Sequence, residues 1–486
     1  MKTLKFRNSI LILVLCFSSI VSAQFIDTTA NRVKTPLKIE LKAIGMLIPK
    51  NTNDIVSSRI TVGAETLDRD HTVWNNYKDY LPPLGVKKIR LQAGWAKCEK
   101  VPGVYDWKWL DEIIDFAVAN NIEPWLQTSY GNPAYQGGGG VNLLNSIMTS
   151  EEAYKAWDKW VAALVSRYKD RVKEWEVWNE PDLHGHIDPI TTAKLNIRTA
   201  EIIKRIQPEA KIAGLAFASN SNKIYLNTFL KVIADAGKLD LFHWISYHSY
   251  TMPPEEAYTE AKVLGLKSVL EKYSDKILLR QGENGAPSTY IPSFALSEYY
   301  WTEYTQAKYD MRRVLGDLGH DIETSVFTII DIYYNWGDRA VLNTKGLIQS
   351  DITMAAIRPK VAYYAIQNIA SVFDDSLVLD KQFSYETTSN ESLSVYGYQK
   401  DNSPLVVVWK DGQNVTNSFE TTNVELKLKH INFKNPVWVD LMTGKVYKIE
   451  LDKWSYSDDI TTITIPVYDA PILIAEATIL NIKKSN

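Results

Sequence analysis

A (β/α)8 barrel followed by an antiparallel β-sandwich is the fold class predicted by three features of the chain. Strand-like and helix-like runs alternate from Ile39 to Ala370, the pattern changes to closely spaced short strands from about Ser371, and two of the strand-like runs end in glutamate. The 486 residues exceed one ordinary hydrophobic core, so a large domain at 37–370 and a smaller one at 371–486 are expected.

Strands of a parallel barrel are buried on both faces and read as short apolar runs bounded by turn formers. Eight such runs are expected at 40–45, 88–92, 123–128, 174–178, 211–215, 242–248, 276–281 and 325–331. Between them, 109–119, 153–168, 191–206, 226–236, 255–273 and 294–318 have helical spacing. Past 371 the expected strands are 394–399, 404–409, 424–428, 436–440, 460–466 and 472–476. Turn signals such as Lys410-Asp411-Gly412 and Met442-Thr443-Gly444 separate them. The run Gly137 to Gly140 opens no helix with phosphate-loop spacing and is expected to be a flexible loop on the barrel rim.

Hydrophobic residues make up 45% and charged residues 23%, which excludes a disordered chain. A net charge of −3 offers no field for polyanions, so nucleic acid and anionic membranes are not expected partners. At the N-terminus Lys2, Lys5 and Arg7 precede the apolar run 10–17, and Val21-Ser22-Ala23 satisfies the small-residue cleavage rule. A signal peptide over 1–23 and a secreted or periplasmic protein are therefore expected. The apolar run is shorter than the ~20 residues needed to span a bilayer, so no stable membrane insertion is expected after its removal. Cys98 is then the sole cysteine, which rules out an intramolecular disulfide and reads as a small buried apolar residue.

The chemistry is concentrated in Trp178-Asn179-Glu180-Pro181-Asp182, at the end of the run Glu174-Trp175-Glu176-Val177. Average residue usage would produce Trp-Asn-Glu-Pro in only roughly one chain in a thousand of this length. Pro181 cannot continue a strand ladder, so Glu180 is delivered to the strand's C-terminal rim, where parallel barrels hold their active sites. A second carboxyl, Glu283, ends the run Leu278-Leu279-Arg280-Gln281-Gly282. Two carboxyl groups at strand ends are what glycosidic-bond cleavage needs: one as proton donor to the leaving oxygen, the other as nucleophile or base at the anomeric carbon.

On these motifs the chain resembles clan A of the glycoside hydrolases, family 39 in particular. The resemblance implies that Glu180, ending the fourth barrel strand, is the general acid/base, and that Glu283, ending the seventh, is the nucleophile. Ile245-Ser246-Tyr247-His248-Ser249-Tyr250 is similar to the clan's sixth strand, whose His and Tyr line the sugar pocket. Lys88-Ile89-Arg90-Leu91 is similar to the second strand with its supporting Arg, and 358–365 to the last barrel helix. By the same resemblance Asn179 bonds the sugar 2-OH. Arg90, near the nucleophile, would hold it ionised by charge proximity. Gln281-Gly282-Glu283-Asn284-Gly285 differs from the Thr-Glu-Trp type expected of a family 39 xylosidase.

Tyr250 is expected to bond Glu283, with His248 on the same strand face. Trp95, Tyr130 and Trp336, each just past a strand, are candidates for stacking on sugar faces. Glu303 and Asp331 are the rival carboxyls to Glu283. His184-Gly185-His186 invites a zinc reading, but no Asp or Cys cluster completes it, so neither a metal nor another cofactor is expected. Trp409, Trp438 and Trp454 are the residues from which the sandwich would build a glycan-binding row. Otherwise that domain is a structural module. The sequence thus predicts a retaining β-glycoside hydrolase, exo-acting on a neutral β-linked glycan, with Arg339 and Lys345 the cations placed to meet an acidic sugar. An endo-acting glycanase with the same residues and a non-catalytic glycan-binding protein on the same scaffold are the alternatives.

Overall fold

The computed structural model describes residues 33–335, 337 and 339–484. The expected signal peptide and Trp336 lie outside the described residues. Eight parallel strands follow one another around a ring: β1 (Ile60–Gly63), β2 (Lys88–Gln92), β3 (Glu123–Thr128), β4 (Glu174–Val177), β5 (Lys211–Phe217), β6 (Trp244–His248), β7 (Leu278–Glu283) and β8 (Thr324–Val326). β1 pairs with β8 through Ile60–Thr324, Thr61–Ser325 and Val62–Val326, and single bridges Arg280–Glu323 and Asn284–Val326 close the ring between β7 and β8. Helices α1 (Lys108–Ala119), α2 (Glu151–Tyr168), α3 (Pro189–Ile206), α4 (Lys223–Asp235), α5 (Val263–Leu270), α6 (Glu303–Gly319) and α7 (Val361–Val372) follow β2 to β8 in turn. Their starts are chemically marked: the side chains of Ser150, Asp188, Asn222 and Thr302 accept hydrogen bonds from backbone N–H groups of the first turns of α2, α3, α4 and α6.

One barrel strand differs from the sequence expectation. The segment read as the first strand belongs to Lys42–Leu47, which pairs antiparallel with Lys445–Lys448 and Ile482–Lys484 in the C-terminal sheet. The true β1 is only four residues long. No amphipathic helix follows it, only 3₁₀ turns and the single turn Leu81–Leu84 with Pro82 and Pro83 inside it. Without a βα pattern, periodicity has nothing to register.

The C-terminal part is two antiparallel sheets of eight and four strands, and each of the six strands expected there is present. Trp409 and Trp438 are fully buried and Trp454 is half-buried, so they do not form an exposed stacking row. Trp409 Nε1 instead donates to Glu255 of the barrel at 2.8 Å. The run Gly137 to Gly140 is tied down by backbone bonds from Gly131 to Gly140 and from Asn132 to Gly138, both N–H to carbonyl, rather than hanging free.

Helix α6 explains how the two parts hold together. Every residue from Thr305 to Leu318 is buried, its charged ones included. Lys308 Nζ meets Asp469 of the sandwich at 2.5 Å and the carbonyl of Thr416 at 2.8 Å, and Arg312 Nη2 donates to the carbonyl of Gln413 at 3.0 Å. A helix with cations on the side facing the second domain needs that domain's acceptors. Asp469→Ala should therefore strand the Lys308 ammonium and lower unfolding stability by about 3–5 kcal/mol, measured by urea denaturation. Unchanged stability would show that the two parts are energetically independent.

Candidate active site

Arg90 stands at the centre of the barrel's upper layer, fully buried. Its Nε and Nη2 donate to Glu176 at 2.9 and 2.8 Å, and Nη2 also reaches Asn179 Oδ1 at 2.9 Å. Its Nη1 is shared between Glu65 at 3.0 Å and Glu283 at 3.1 Å. Gln127 Nε2 adds bonds to Glu176 at 2.7 Å and to Asn179 Oδ1 at 3.1 Å. A guanidinium with donors in a rigid fork is the side chain able to engage several carboxylates at once.

The backbone aims the two strand-end glutamates. Trp178 and Glu180 have φ of 65° and 46°, the left-handed region that non-glycine residues rarely adopt. Their N–H groups nonetheless bond the neighbouring strands, Trp178 to the carbonyl of Thr128 at 3.0 Å and Glu180 to that of Ala216 at 2.7 Å. The turn is held from both sides, which is how a strained functional conformation persists. Asp182 accepts from the N–H groups of Ala218 and Ser219 at 2.7 and 3.2 Å, locking the loops after β4 and β5 together. On β7 a Cβ at Gly282 would lie 2.4 Å from Ser246 Oγ and 3.4 Å from the His248 ring, so only glycine lets β6 and its histidine come this close.

Glu180 Oε1 bonds His248 Nδ1 at 2.7 Å, and Tyr250 donates its phenol hydrogen to Glu283 Oε1 at 2.7 Å. One oxygen from each glutamate and a ring nitrogen of His248 lie within 4.8 Å of one another. The two carboxyls are tuned in opposite directions. Burial raises the pKa of Glu180, helped by the negative charges of Glu283 and Asp182, and the bond to His248 opposes this only in part. Burial would also raise Glu283, but the charges of His248 and Arg90 and the bond from Tyr250 outweigh it and hold it below its ordinary value. His248 is raised: burial disfavours its charge, and the Glu283 charge with the bond to Glu180 prevails.

Glu180, Glu283, Asn179, His248, Tyr250 and Tyr130 all border a cavity of about 830 Å³ at the C-terminal end of the barrel, with Arg90 beneath them. Tyr130 is there in a different role from the one expected. The Arg69 guanidinium lies 5.0 Å over its ring, and its hydroxyl accepts from Asn179 Nδ2 at 3.0 Å and Gln92 Nε2 at 3.3 Å, so it props Asn179 rather than offering a stacking face. Trp95 is a correction. It is fully buried, packed between Tyr135 and Trp160 with ring centroids at 5.7 and 5.9 Å, and faces the aromatic core under α2. The aromatic wall of the cavity is Phe294 and Tyr334, rings 5.1 Å apart.

Of the other candidates, His184 borders the cavity, while His186 Nε2 lies 2.7 Å from the Asn145 carbonyl on the exposed rim. Asp331 is taken up by Lys360 at 2.6 Å, and Glu303 by Arg358 at 3.1 Å, which removes both as rivals to Glu283. Cys98 is buried, its thiol pushed up to about 12 chiefly by burial.

Sequence reasoning missed Glu65, Glu176, Gln92 and Gln127. Glu176 and Gln127 carried a signal: a polar residue at alternate positions of a strand buried on both faces marks the inner layer of a barrel. Glu65 was lost with β1. Its carboxylate folds back over Gly63, where an added Cβ would sit 2.2 Å from Oε2, and burial pushes its pKa up to about 7 against the pull of Arg90.

Two oppositely tuned carboxyls at the C-terminal rim of a barrel, over a cavity of this size, are the arrangement that glycosidic-bond cleavage requires. The chain belongs to the glycosyl hydrolases family 39, whose family model matches residues 86–422. Among curated relatives it is 24% identical over 336 residues to a β-xylosidase of Geobacillus stearothermophilus. That match covers 63% of this chain, and the chain spans about 62% of that protein's length. Similar solved structures include a family 39 glycoside hydrolase from the gut symbiont Bacteroides cellulosilyticus WH2, with a TM-score of 0.62, 19% identity and coverage of 86% of this chain and 80% of that one. A monomeric β-xylosidase from Caulobacter crescentus CB15 has a TM-score of 0.56 and 16% identity, with coverage of 89% and 97%. These two likenesses bear out the fold, barrel and sandwich together.

Tyr250→Phe removes one charge-assisted bond from Glu283 and little else. The variant should lose about 10- to 100-fold in kcat on aryl glycosides with a small change in melting temperature. An unaltered kcat would mean that the bond from Tyr250 contributes nothing to holding Glu283.

Proposed function

We propose that the chain is an exo-acting, retaining β-glycosidase that works by double displacement on β-linked oligosaccharides. The observation that carries this reading is the pairing of Glu180, its pKa raised chiefly by burial, with Glu283, its pKa lowered by His248, Arg90 and Tyr250 against burial, oxygens within 4.8 Å. That spacing agrees with the about 5 to 5.5 Å between carboxyl groups of retaining enzymes and falls short of the about 6.5 to 9.5 Å that leaves room for an inverting water. Glu283 attacks the anomeric carbon while Glu180 gives its proton to the departing oxygen. Glu180, now a base, then takes a proton from the water that releases the sugar. Asn179, held by Arg90, Gln127 and Tyr130, is positioned to bond a sugar hydroxyl.

The exo assignment rests on the cavity's walls. Loops after seven of the eight strands contribute to it, from Arg69 after β1 to Tyr334 after β8, with Gln92 at the end of β2 between them, and walls on so many sides support a pocket over a cleft open at both ends. The signal-like start of the chain supports an exported enzyme acting outside the cytoplasm. No helix among the described residues is long and apolar enough to cross a membrane.

On an aryl glycoside with a good leaving group, Glu180→Gln should keep the glycosylation step, whereas Glu283→Ala should abolish turnover. Equal loss in both would overturn the roles. The pH dependence follows from the directions of the shifts. Activity needs Glu283 ionised and is lost as pH falls through its lowered pKa; it needs Glu180 protonated and is lost as pH rises through its raised pKa. The kcat/KM profile should be bell-shaped, and Glu180→Gln should erase its alkaline limb. NMR of the first-formed anomer checks retention, and mid-chain products from a polymer would contradict exo action.

A further inference from the structure

Cations buried in this protein commonly close ion pairs: Arg90 with Glu176 at 2.8 Å, Arg280 with Glu174 at 2.5 Å, Lys308 with Asp469 at 2.5 Å, Lys360 with Asp331 at 2.6 Å. Lys345, in the loop after β8, does not. Its side chain is buried, and Nζ donates to the carbonyls of Gly285 at 3.1 Å and Ala295 at 2.6 Å. Among the described residues no carboxylate lies within 4.0 Å of it. Burial pushes its pKa down to about 7, because Asp310 and Glu283 act on it only from a distance. An ammonium has three donors, and carbonyl oxygens neutralise none of its charge. Leaving a buried charge without a counter-ion is unfavourable unless one arrives.

The place where one can arrive is the catalytic cavity, which Lys345 lines. Its Nζ lies 4.7 Å from the centre of the Tyr250 ring, and the hydroxyl of that same ring holds Glu283. A group docked on Lys345 thus lies across a single tyrosine ring from Glu283. Arg69, half-buried in the same wall, is paired with Asp68 at 3.2 Å but keeps an N–H to offer. Its Nε and Nη2 are engaged by Asp68 and Gln92, and its Nη1 has no partner among the described residues. His71 adds no charge, since burial and Arg69 push its pKa down to about 4.

We propose that the sugar unit bound in the catalytic cavity carries an anionic substituent, a carboxylate or a sulfate ester, that pairs with the Lys345 ammonium. This rests on the reading of the cavity as a glycosidase site, and it replaces the expectation of a neutral glycan. Bound there, the anion supplies the missing counter-ion and returns Lys345 to its fully charged state. Binding of an anionic sugar then takes up a proton where Lys345 is partly neutral.

The test compares wild type, Lys345→Met and Lys345→Arg on aryl β-glucuronide and aryl 6-sulfo-β-galactoside beside the neutral glucoside, galactoside and xyloside. Wild type should prefer an anionic glycoside, and which of the two it prefers tells carboxylate from sulfate. In Lys345→Met the ratio of kcat/KM for that substrate to kcat/KM for its neutral counterpart should fall by about 10- to 100-fold, with Lys345→Arg recovering most of it. Preference for neutral glycosides in wild type, or a loss in Lys345→Met equal on all substrates, would show a loop anchor and overturn the proposal. Calorimetric titration with free glucuronate, galactose 6-sulfate and glucose separates this from the catalytic reading, since it needs no turnover. Anionic sugars binding no tighter than glucose overturn the proposal even in an active enzyme, whereas their tighter binding to a protein without hydrolytic activity upholds it while the catalytic roles fall.

Discussion

The upper layer of the barrel depends on a single cation. Arg90 faces Glu65 and Glu176, both buried from water, and Glu283, which opens onto the cavity. One guanidinium cannot neutralise three charges, so the shortfall must appear as protons held by the carboxyls least well supplied with donors. Glu65, with one bond from Arg90 and a 3.3 Å contact from Thr328, is pushed up to about 7. Glu283, with Arg90, Tyr250 and the nearby His248, is held below its ordinary value. The opposite shifts of the two strand-end glutamates are therefore a result of competition for donors: Glu283 is lowered, and Glu180, which takes no bond from Arg90, is raised.

Polar residues this deep require a scaffold that does not yield. Below Arg90 a second charged layer repeats the arrangement: Arg280 pairs with Glu174 and Glu323, lying 3.6 Å over the Trp244 ring and 4.3 Å over that of Trp125. The closed ring of parallel strands satisfies the backbone, and the side chains it turns inward must then satisfy one another. On the outside, α6 carries the same logic to the sandwich, whose acceptors complete Lys308 and Arg312. The second domain is part of the electrostatic structure of the barrel rather than an appendage to it.

Much of this was legible in the chain. Seven of the eight barrel strands, the sandwich strands and the placing of Glu180 and Glu283 at strand ends can be read from it, because each depends on local signals: an apolar run, a turn former, a proline that stops a ladder. Asn179, Arg90, His248 and Tyr250 were singled out by the resemblance of their strands to those of clan A. Glu65 was hidden because β1 is four residues long with no helix after it to complete a βα unit. Trp95 was misplaced because an aromatic just past a strand is compatible with either the rim or the space beneath a helix. Only the packing of Trp157 and Trp160 on α2 decides between them.

The amino-acid order by itself determined the alternation of elements, the delivery of two glutamates to strand ends and hence the class of chemistry, since these follow from periodicities and short-range sterics along the chain. Tertiary structure alone decided which carboxyl is raised and which lowered, because that depends on how many donors converge on each from distant strands. It also decided that Lys345, an ordinary loop lysine in the sequence, is buried against the Tyr250 ring with no carboxylate partner among the described residues. Charge and burial are properties of surroundings assembled from distant segments, and closing the ring is what brings them together.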